Sequence, residues 1–277
     1  MTSNDAETGE PLTPAPFPVT LHTLHWGHPP TDAHGPDARP TALLLHGLPS
    51  AAGTWWQVAS GLAAAGWSVT APDLRGHGAS PRTTRYALDD YAADVAALRP
   101  AHGGAWDLVI GHSLGGAVAT VAADEHPEWA AALLLLDPVY AVPEDARPGL
   151  LADLLGDLRA LDTGELLRKH PRWRSEDAAQ KVAAARAASP YLVERTLADN
   201  SDWVLEPVAG RLRAPVHILG ADPQLGASFT PAEGQRLAAA NPRFRYSIVE
   251  GAGHSIQRDD PARVVAEALA GTRRRTP

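Results

Sequence analysis

The segment Trp106-Asp107-Leu108-Val109-Ile110-Gly111-His112-Ser113-Leu114-Gly115-Gly116 changes character at its centre. An apolar run from Trp106 to Ile110 stops at a glycine, and Leu114 to Glu125 continues as an Ala-rich stretch of helical period. A buried strand therefore passes into a helix through a very short bend. Such a bend needs small neighbours on both sides of Ser113, and it lifts the serine hydroxyl above the sheet at a helix N-terminus. Gly111, Gly115 and Gly116 supply the space. The same glycines would also suit a strand-helix turn with no catalytic duty.

Outward from this bend the pattern repeats. Upstream, Thr41 to Leu45 and Ser68 to Pro72 are short apolar runs separated by a helical stretch, Thr54 to Ala65, and Leu88 to Leu98 is helical again. Downstream, His126-Pro127 ends the helix and Ala132 to Leu136 is the next strand. Alternation of this kind predicts an α/β fold, a mostly parallel, doubly wound sheet with helices on both faces. Between Pro138 and Gly210 the alternation lapses. Leucines 150, 151, 154, 155, 158 and 161 fall at helical spacing with no strand before the next helices, as expected of an inserted helical cap. Val216 to Gly220 and Arg245 to Val249 then resume the strand pattern, with helices near Ala232 to Ala240 and Pro261 to Ala270. The expected division is a tail over 1–16, a core over 17–138 and 211–271, a cap over 139–210 and a tail over 272–277.

The chain has 277 residues, enough for one substantial core, and its 44% hydrophobic and 20% charged residues suit a globular protein rather than a disordered one. Its net charge of -8 disfavours nucleic acid and anionic membranes as partners, leaving a small-molecule substrate, with a monomer or homodimer expected. Without cysteine there is no disulfide, thiol nucleophile or cysteine metal site. The first sixteen residues lack a basic start and apolar run, so a cytoplasmic protein is expected, and no window has the roughly 18 apolar residues of a membrane helix. His22, His25, His28 and His34 lie in a Pro-rich region without metal-ligand spacing, and no cofactor is expected.

A serine hydroxyl becomes a useful nucleophile only when a base takes its proton. His254, in Gly251-Ala252-Gly253-His254 just past the last strand, is the histidine best placed to return over the sheet edge. His46 and His112 are expected to shape turns, and His77 and His126 to occupy a loop and a helix end. A carboxylate should orient the base, and two aspartates end strands between Ser113 and His254. Asp222, in Gly220-Ala221-Asp222-Pro223, is preferred, and Asp137, after Leu133 to Leu136, is the alternative acid. Acyl transfer also needs donors for a developing oxyanion, and the backbone amides of Leu114 and of Leu48 in His46-Gly47-Leu48-Pro49 are the candidates. Pro49 has no amide hydrogen to offer.

Taken together, these motifs resemble the α/β-hydrolase superfamily over Thr41 to Ala270. They include Gly111-His112-Ser113-Leu114-Gly115, His46-Gly47, Asp73-Leu74-Arg75-Gly76-His77-Gly78-Ala79-Ser80 and Gly251-Ala252-Gly253-His254, in that family's order once placed along the chain. The chain is similar to the branch of capped esterases, carbon-carbon bond hydrolases, cofactor-free haloperoxidases and lactonases. Serine at the bend departs from the dehalogenases and epoxide hydrolases, which carry aspartate there. Many relatives have Gly-x-x-Asp where this chain has Gly220-Ala221-Asp222. The resemblance implies the α/β-hydrolase fold, with a sheet of about eight strands, and a pocket between sheet and cap. Trp55, Trp56, Tyr140, Trp173, Tyr191 and Trp203 are candidates to line it. The activity implied is hydrolysis of a small carboxylic ester or lactone through an acyl-enzyme on Ser113. Carbon-carbon cleavage, haloperoxidase or perhydrolase chemistry, and ligand binding without catalysis are the alternatives.

Overall fold

The computed structural model describes residues 16–27, 39–101 and 103–273. The tail expected over 1–16, the histidines at 28 and 34 and the last four residues of the chain fall almost wholly outside the described residues.

In chain order the elements are β1 (Thr23–Trp26), β2 (Thr41–Leu45), α1 (Trp56–Ala64), β3 (Ser68–Pro72), α2 (Leu88–Ala96), β4 (Leu108–His112), α3 (Leu114–Glu125) and β5 (Leu133–Leu136). Five helices follow without a strand: α4 (Arg147–Ala160), α5 (Thr163–Lys169), α6 (Ser175–Ala187), α7 (Pro190–Ala198) and α8 (Glu206–Ala209). The chain then returns with β6 (Val216–Gly220), α9 (Pro231–Ala240), β7 (Phe244–Ile248), α10 (Ile256–Asp259) and α11 (Pro261–Arg273). Among the described residues the strands form one seven-stranded sheet in the order β1-β3-β2-β4-β5-β6-β7, antiparallel at β1 and parallel elsewhere. Seven strands thus stand where about eight were expected by resemblance.

Burial on both faces explains why the central strands are continuous apolar runs. Along β2, Leu43 and Leu45 point into one core with Leu114, Val118 and Leu133. Ala42 and Leu44 point into the other with Val58, Leu62, Ile110 and Val264. Each fully buried leucine contributes about 1.5–3 kcal/mol. A one-residue slip would exchange the two faces, so the register is strongly specified.

The expected strand Trp106 to Ile110 is displaced. Trp106 makes only an isolated bridge to Ala130, and β4 runs on through Gly111 and His112. This register pairs His112 with Leu136. Strand β1 carried no recognised signal, because a short edge strand with His25 between Leu24 and Trp26 lacks an apolar run. It is fixed by pairing Thr23 to Trp26 against Pro72 to Val69.

The helices α4 to α8 are joined to the rest of the molecule by apolar packing, with Leu192, Leu197, Trp203, Leu205 and Ala209 in the same core as Tyr86, Tyr91 and Val118, and by polar contacts. Asp177 accepts from the Trp56 indole N–H at 2.9 Å and from Gln57 Nε2 at 2.9 Å. Asp199 and Asn200 accept from the amides of Tyr86 and Leu88 at 2.8 and 2.7 Å. Leu166, Trp173, Ala178 and Val182 make a small apolar cluster of their own. Among the described residues no helix is long and apolar enough to cross a membrane.

Candidate active site

Two non-glycine residues among those described have a left-handed backbone: Ser113, φ 54°, and Asp137, φ 41°. Such conformations cost of order 1–3 kcal/mol and persist only where the surroundings over-determine them. Both stand immediately after the C-terminal ends of adjacent parallel strands, β4 and β5. The Ser113 amide donates to the Leu136 carbonyl at 3.1 Å, and the Asp137 amide to the Leu219 carbonyl at 2.8 Å. The sheet itself therefore fixes both residues. Ser113 is also the N-cap of α3, whose first residue is Leu114. The Leu114 amide accordingly belongs to the helix N-terminus, where donors lack intrahelical partners.

The bend depends on close backbone approach. A Cβ on Gly115 would lie 2.2 Å from the Leu45 carbonyl oxygen, so only glycine lets α3 start this near β2. A Cβ on Gly47 would lie 2.8 Å from the Cβ of Ser113. The loop at Gly47 is thus laid directly on the serine. Burial pushes the pKa of His46 down, against a smaller opposing effect of its bond to the Gly47 carbonyl. Its Nδ1 donates to that carbonyl at 2.9 Å and its Nε2 accepts from the Leu74 amide at 3.0 Å, so both nitrogens are committed to shaping the loop.

His254 meets a carboxylate, but not the preferred one. Its Nδ1 lies 2.6 Å from Oδ2 of Asp137. Asp137 is fully buried. Its Oδ1 accepts from the amides of Ala221 at 3.3 Å and Phe229 at 3.0 Å, and its Oδ2 from the Ser228 amide at 2.8 Å. All three backbone partners are N–H donors, so both carboxylate oxygens are engaged as acceptors. Asp222, expected as the acid, points elsewhere. Its Oδ1 caps the short turn Pro223–Leu225 through the Gln224 amide at 2.9 Å, and its Oδ2 accepts from the Gly251 amide at 2.8 Å. Those bonds, Gly251 first, hold its pKa below the ordinary carboxylate value. The physical reason for the correction is turn chemistry: an aspartate before proline satisfies the backbone of its own turn. Asp222 braces the loops, and that same 222–229 loop delivers the Ser228 and Phe229 amides to Asp137.

His254 is brought beside the residue that precedes Ser113. His112, next to Ser113, bonds through Nε2 to the His254 carbonyl at 2.8 Å, and the two imidazole centres lie 4.8 Å apart. Burial pushes the His112 pKa far down, with repulsion from His254 and Arg258 adding to it. Two residues at this junction carried no signal in the sequence. Ser228 Oγ is 3.2 Å from His254 Nδ1, and Gln257 contacts the far nitrogen of His112. Neither belongs to a motif; only the folded loops bring them in.

The six aromatic residues separate. Trp55 is wholly buried in the core with Val58 and Leu62 and cannot line a pocket, because the turn Ala52–Trp55 directs it under α1. Tyr191 is 46% exposed on α7, its hydroxyl donating to the Thr84 carbonyl at 2.9 Å. Trp203 donates to the Val139 carbonyl at 2.9 Å and borders a cleft with Leu88, Val121 and Asn200, which none of Ser113, Asp137 and His254 reaches. Tyr140 is buried, shares a hydrogen bond with Thr120 Oγ1 at 2.8 Å and packs edge-on against Phe229 at 5.4 Å, supporting the loop that holds Asp137. Trp56 is tied to Asp177, as described. Trp173 donates to Asp259 Oδ1 at 2.9 Å, while Asp259 Oδ2 accepts from the Gly253 amide at 2.8 Å, a link from the helical insertion to the His254 loop. The Arg258 guanidinium lies over the Trp173 ring at 4.9 Å, and burial pulls its pKa down to about 10. The N-terminal histidines have local partners: His22 bonds Asp73 at 2.9 Å, and His25 bonds the hydroxyls of Thr23 at 2.9 Å and Thr70 at 3.1 Å.

A serine on a strained bend and an imidazole held by a buried carboxylate can together activate a hydroxyl. Known proteins resemble this chain. The chain is 38% identical over 109 residues to a lipase of Mycobacterium tuberculosis, covering 39% of this chain and 41% of the lipase. It is 36% identical over 131 residues to a non-heme chloroperoxidase of Streptomyces lividans, covering 46% and 48%. The match thus spans less than half the length of either curated relative. A thermophilic esterase from Thermogutta terrifontis superposes with a TM-score of 0.71 at 22% identity over 92% of this chain and 93% of the esterase, a likeness of fold. A family model described as the alpha/beta hydrolase family matches residues 42–268. That span runs from β2 into α11 and encloses Ser113, Asp137 and His254, and the chain belongs to the alpha/beta hydrolase family.

Proposed function

We propose that the protein is a serine hydrolase that cleaves a small carboxylic ester or lactone through an acyl-enzyme on Ser113, with His254 as base and Asp137 as its acid. The observation that carries this reading is the 2.6 Å contact between His254 Nδ1 and an aspartate whose other three partners are all backbone amides. Asp137 fixes the tautomer: Nδ1 carries the hydrogen and donates to the carboxylate, so Nε2 presents a lone pair. Ser228 Oγ, farther away and neutral, is the weaker acceptor for the same hydrogen.

The chemistry follows from these positions. Nε2 takes the Ser113 proton as Oγ attacks the carbonyl carbon, and the Leu114 and Leu48 amides receive the oxyanion. The imidazolium, stabilised by Asp137, gives its proton to the departing alkoxide. Water enters, Nε2 takes its proton, and the second tetrahedral adduct collapses to release the acid and return the proton to Ser113. Helices α4 to α8 serve as the cap over this site and set the choice of substrate, with Trp56 and Trp173 the aromatic residues tied to it. No step needs a metal or organic cofactor.

The test is a series of p-nitrophenyl esters and lactones of graded chain length, run on wild type and on Ser113→Ala, with a fluorophosphonate probe for Ser113. Loss of turnover and of labelling in the variant is expected. A variant that keeps full turnover of the best ester overturns the reading. The chloroperoxidase similarity favours one second reading, perhydrolysis, in which hydrogen peroxide replaces water as acyl acceptor; peroxyacid formation in the same assay would reveal it.

A further inference from the structure

We infer that His112, held by Gln257, is a positioning residue that ties the loop of the base to the strand bearing the nucleophile. This deepens the proposed function and rests on His254 being the base. The chain separation is large, 142 residues between His112 and His254, so nothing local brings them together. A carbonyl oxygen only accepts, so the 2.8 Å bond requires the hydrogen of His112 on Nε2. Nδ1 then has the lone pair, and it faces Gln257 Nε2, an N–H donor, at 3.3 Å. Gln257 donates to His112, and His112 donates to His254. Both side chains are buried, at 1% and 5% exposure, so the bond between them is closed to solvent.

The arrangement grips one ring from both sides. Gln257 lies three residues after His254, and the short stretch from 254 to 257 supplies both partners of His112. His112 is the last residue of β4, paired with Leu136 in β5. The backbone of the base is therefore referenced to the sheet itself. Asp137 controls rotation of the His254 ring through Nδ1, and His112 controls the position of its main chain. Together they determine where Nε2 stands relative to Ser113. The groups facing His112, namely His46, His254 and Arg258, offer it no carboxylate partner, in keeping with a ring that stays neutral.

Two measurements test this. In the intact protein with ¹⁵N-labelled histidine, the His112 signals should show the Nε2–H tautomer, unprotonated, from about pH 5.5 to 8.5. A ring that carries its hydrogen on Nδ1, or that titrates like an ordinary histidine, overturns the inference, and this readout needs no variant to fold. In kinetics, His112→Phe keeps a planar ring and removes the donor; kcat should fall roughly a hundredfold with KM changed less than about twofold, since misplacing a base costs rate rather than binding. His112→Gln, whose amide N–H can reach the same carbonyl, should recover most of that loss. Equal impairment of both variants, or a His112→Phe protein with near-normal kcat, overturns the inference. Turnover lost in Ser113→Ala and His254→Ala while His112→Phe stays active defeats the positioning role alone. Turnover retained in Ser113→Ala defeats the proposed function instead.

Discussion

Replacing Asp137 by asparagine separates the two aspartates more sharply than any other change. The substitution keeps the volume and replaces one carboxylate oxygen by an NH₂ group in a cage of donors. If the amide oxygen keeps the Ala221 and Phe229 amides, the NH₂ faces the Ser228 amide and His254 Nδ1. Donor would then meet donor. The imidazole can relieve this only by moving its hydrogen to Nε2 and accepting at Nδ1, which leaves no lone pair for Ser113. The expected loss in kcat for a base locked in the wrong tautomer is about 10⁴-fold, equivalent to roughly 5.5 kcal/mol of transition-state stabilisation. The unmet Ser228 amide should cost a further ~1–3 kcal/mol of folding stability. Asp222→Asn, at a part-exposed turn, should leave kcat within about threefold of wild type, since it touches no reacting group. Stopped assays with a p-nitrophenyl ester, paired with urea denaturation of each variant, measure both quantities. The reasoning fails if Asp137→Asn retains more than about a tenth of wild-type kcat, or if Asp222→Asn shows the larger loss.

Gly47→Ala brings a methyl group to 2.8 Å from the Ser113 Cβ and should lower kcat/KM about tenfold or more by displacing the loop of Leu48, measured by ester kinetics. Arg75→Met removes the bidentate partner of buried Asp94, whose bonds from Nε and Nη2 are 2.6 and 2.8 Å; the fall in stability should be about 3–5 kcal/mol, read by urea midpoint. Burial pushes the His77 pKa down from 6.5 to about 3, so the unfolded chain takes up a proton that the folded one refuses. Its contribution is complete above pH 6.5 and declines toward pH 3, so between pH 7.5 and 5.5 stability should fall by about 1.4 kcal/mol on its account. His77→Gln should flatten the urea-stability profile by that amount, and an unchanged slope would contradict it.

The sheet was legible because its strands are buried on two faces and the bends between them are chemically costly to disguise. Leu43 and Leu45 serve one core and Leu44 the other, which leaves a continuous apolar run, and the bend at Ser113 needs the glycines around it for close backbone approach. The limits of that legibility are equally physical. β1 is an edge strand with one exposed face, so its sequence carries no such run. The helices α4 to α8 gave up their period to a linear reading, but their attachment to α1 and to the start of α2 through Asp177, Asp199 and Asn200 joins residues more than a hundred positions apart. Core aromatics such as Trp55 could not be told from pocket-lining ones, because both uses favour the same residue type.

The choice between Asp222 and Asp137 shows where pattern reading must stop. Each aspartate follows a strand at the same end of the sheet, β6 and β5, and neighbouring parallel strands present their ends at one edge, so order and position could not separate them. What decides is backbone conformation. Asp222, with φ −63°, turns its carboxylate to the amides of Gln224 and Gly251 and spends both oxygens on its own loops. Asp137, with φ 41°, turns inward beneath Phe229 and keeps Oδ2 for His254. No rule of composition or spacing assigns a positive φ to an aspartate followed by Pro138, since that conformation is imposed by strands, loops and a satisfied carboxylate acting together. The strain is then best read as the cost of aiming a charge. In the proposed mechanism Ser113 and Asp137, each just past the end of β4 or β5 and both strained, act on one imidazole brought to them by a distant loop. Relaxing either bend should cost catalysis before it costs the fold.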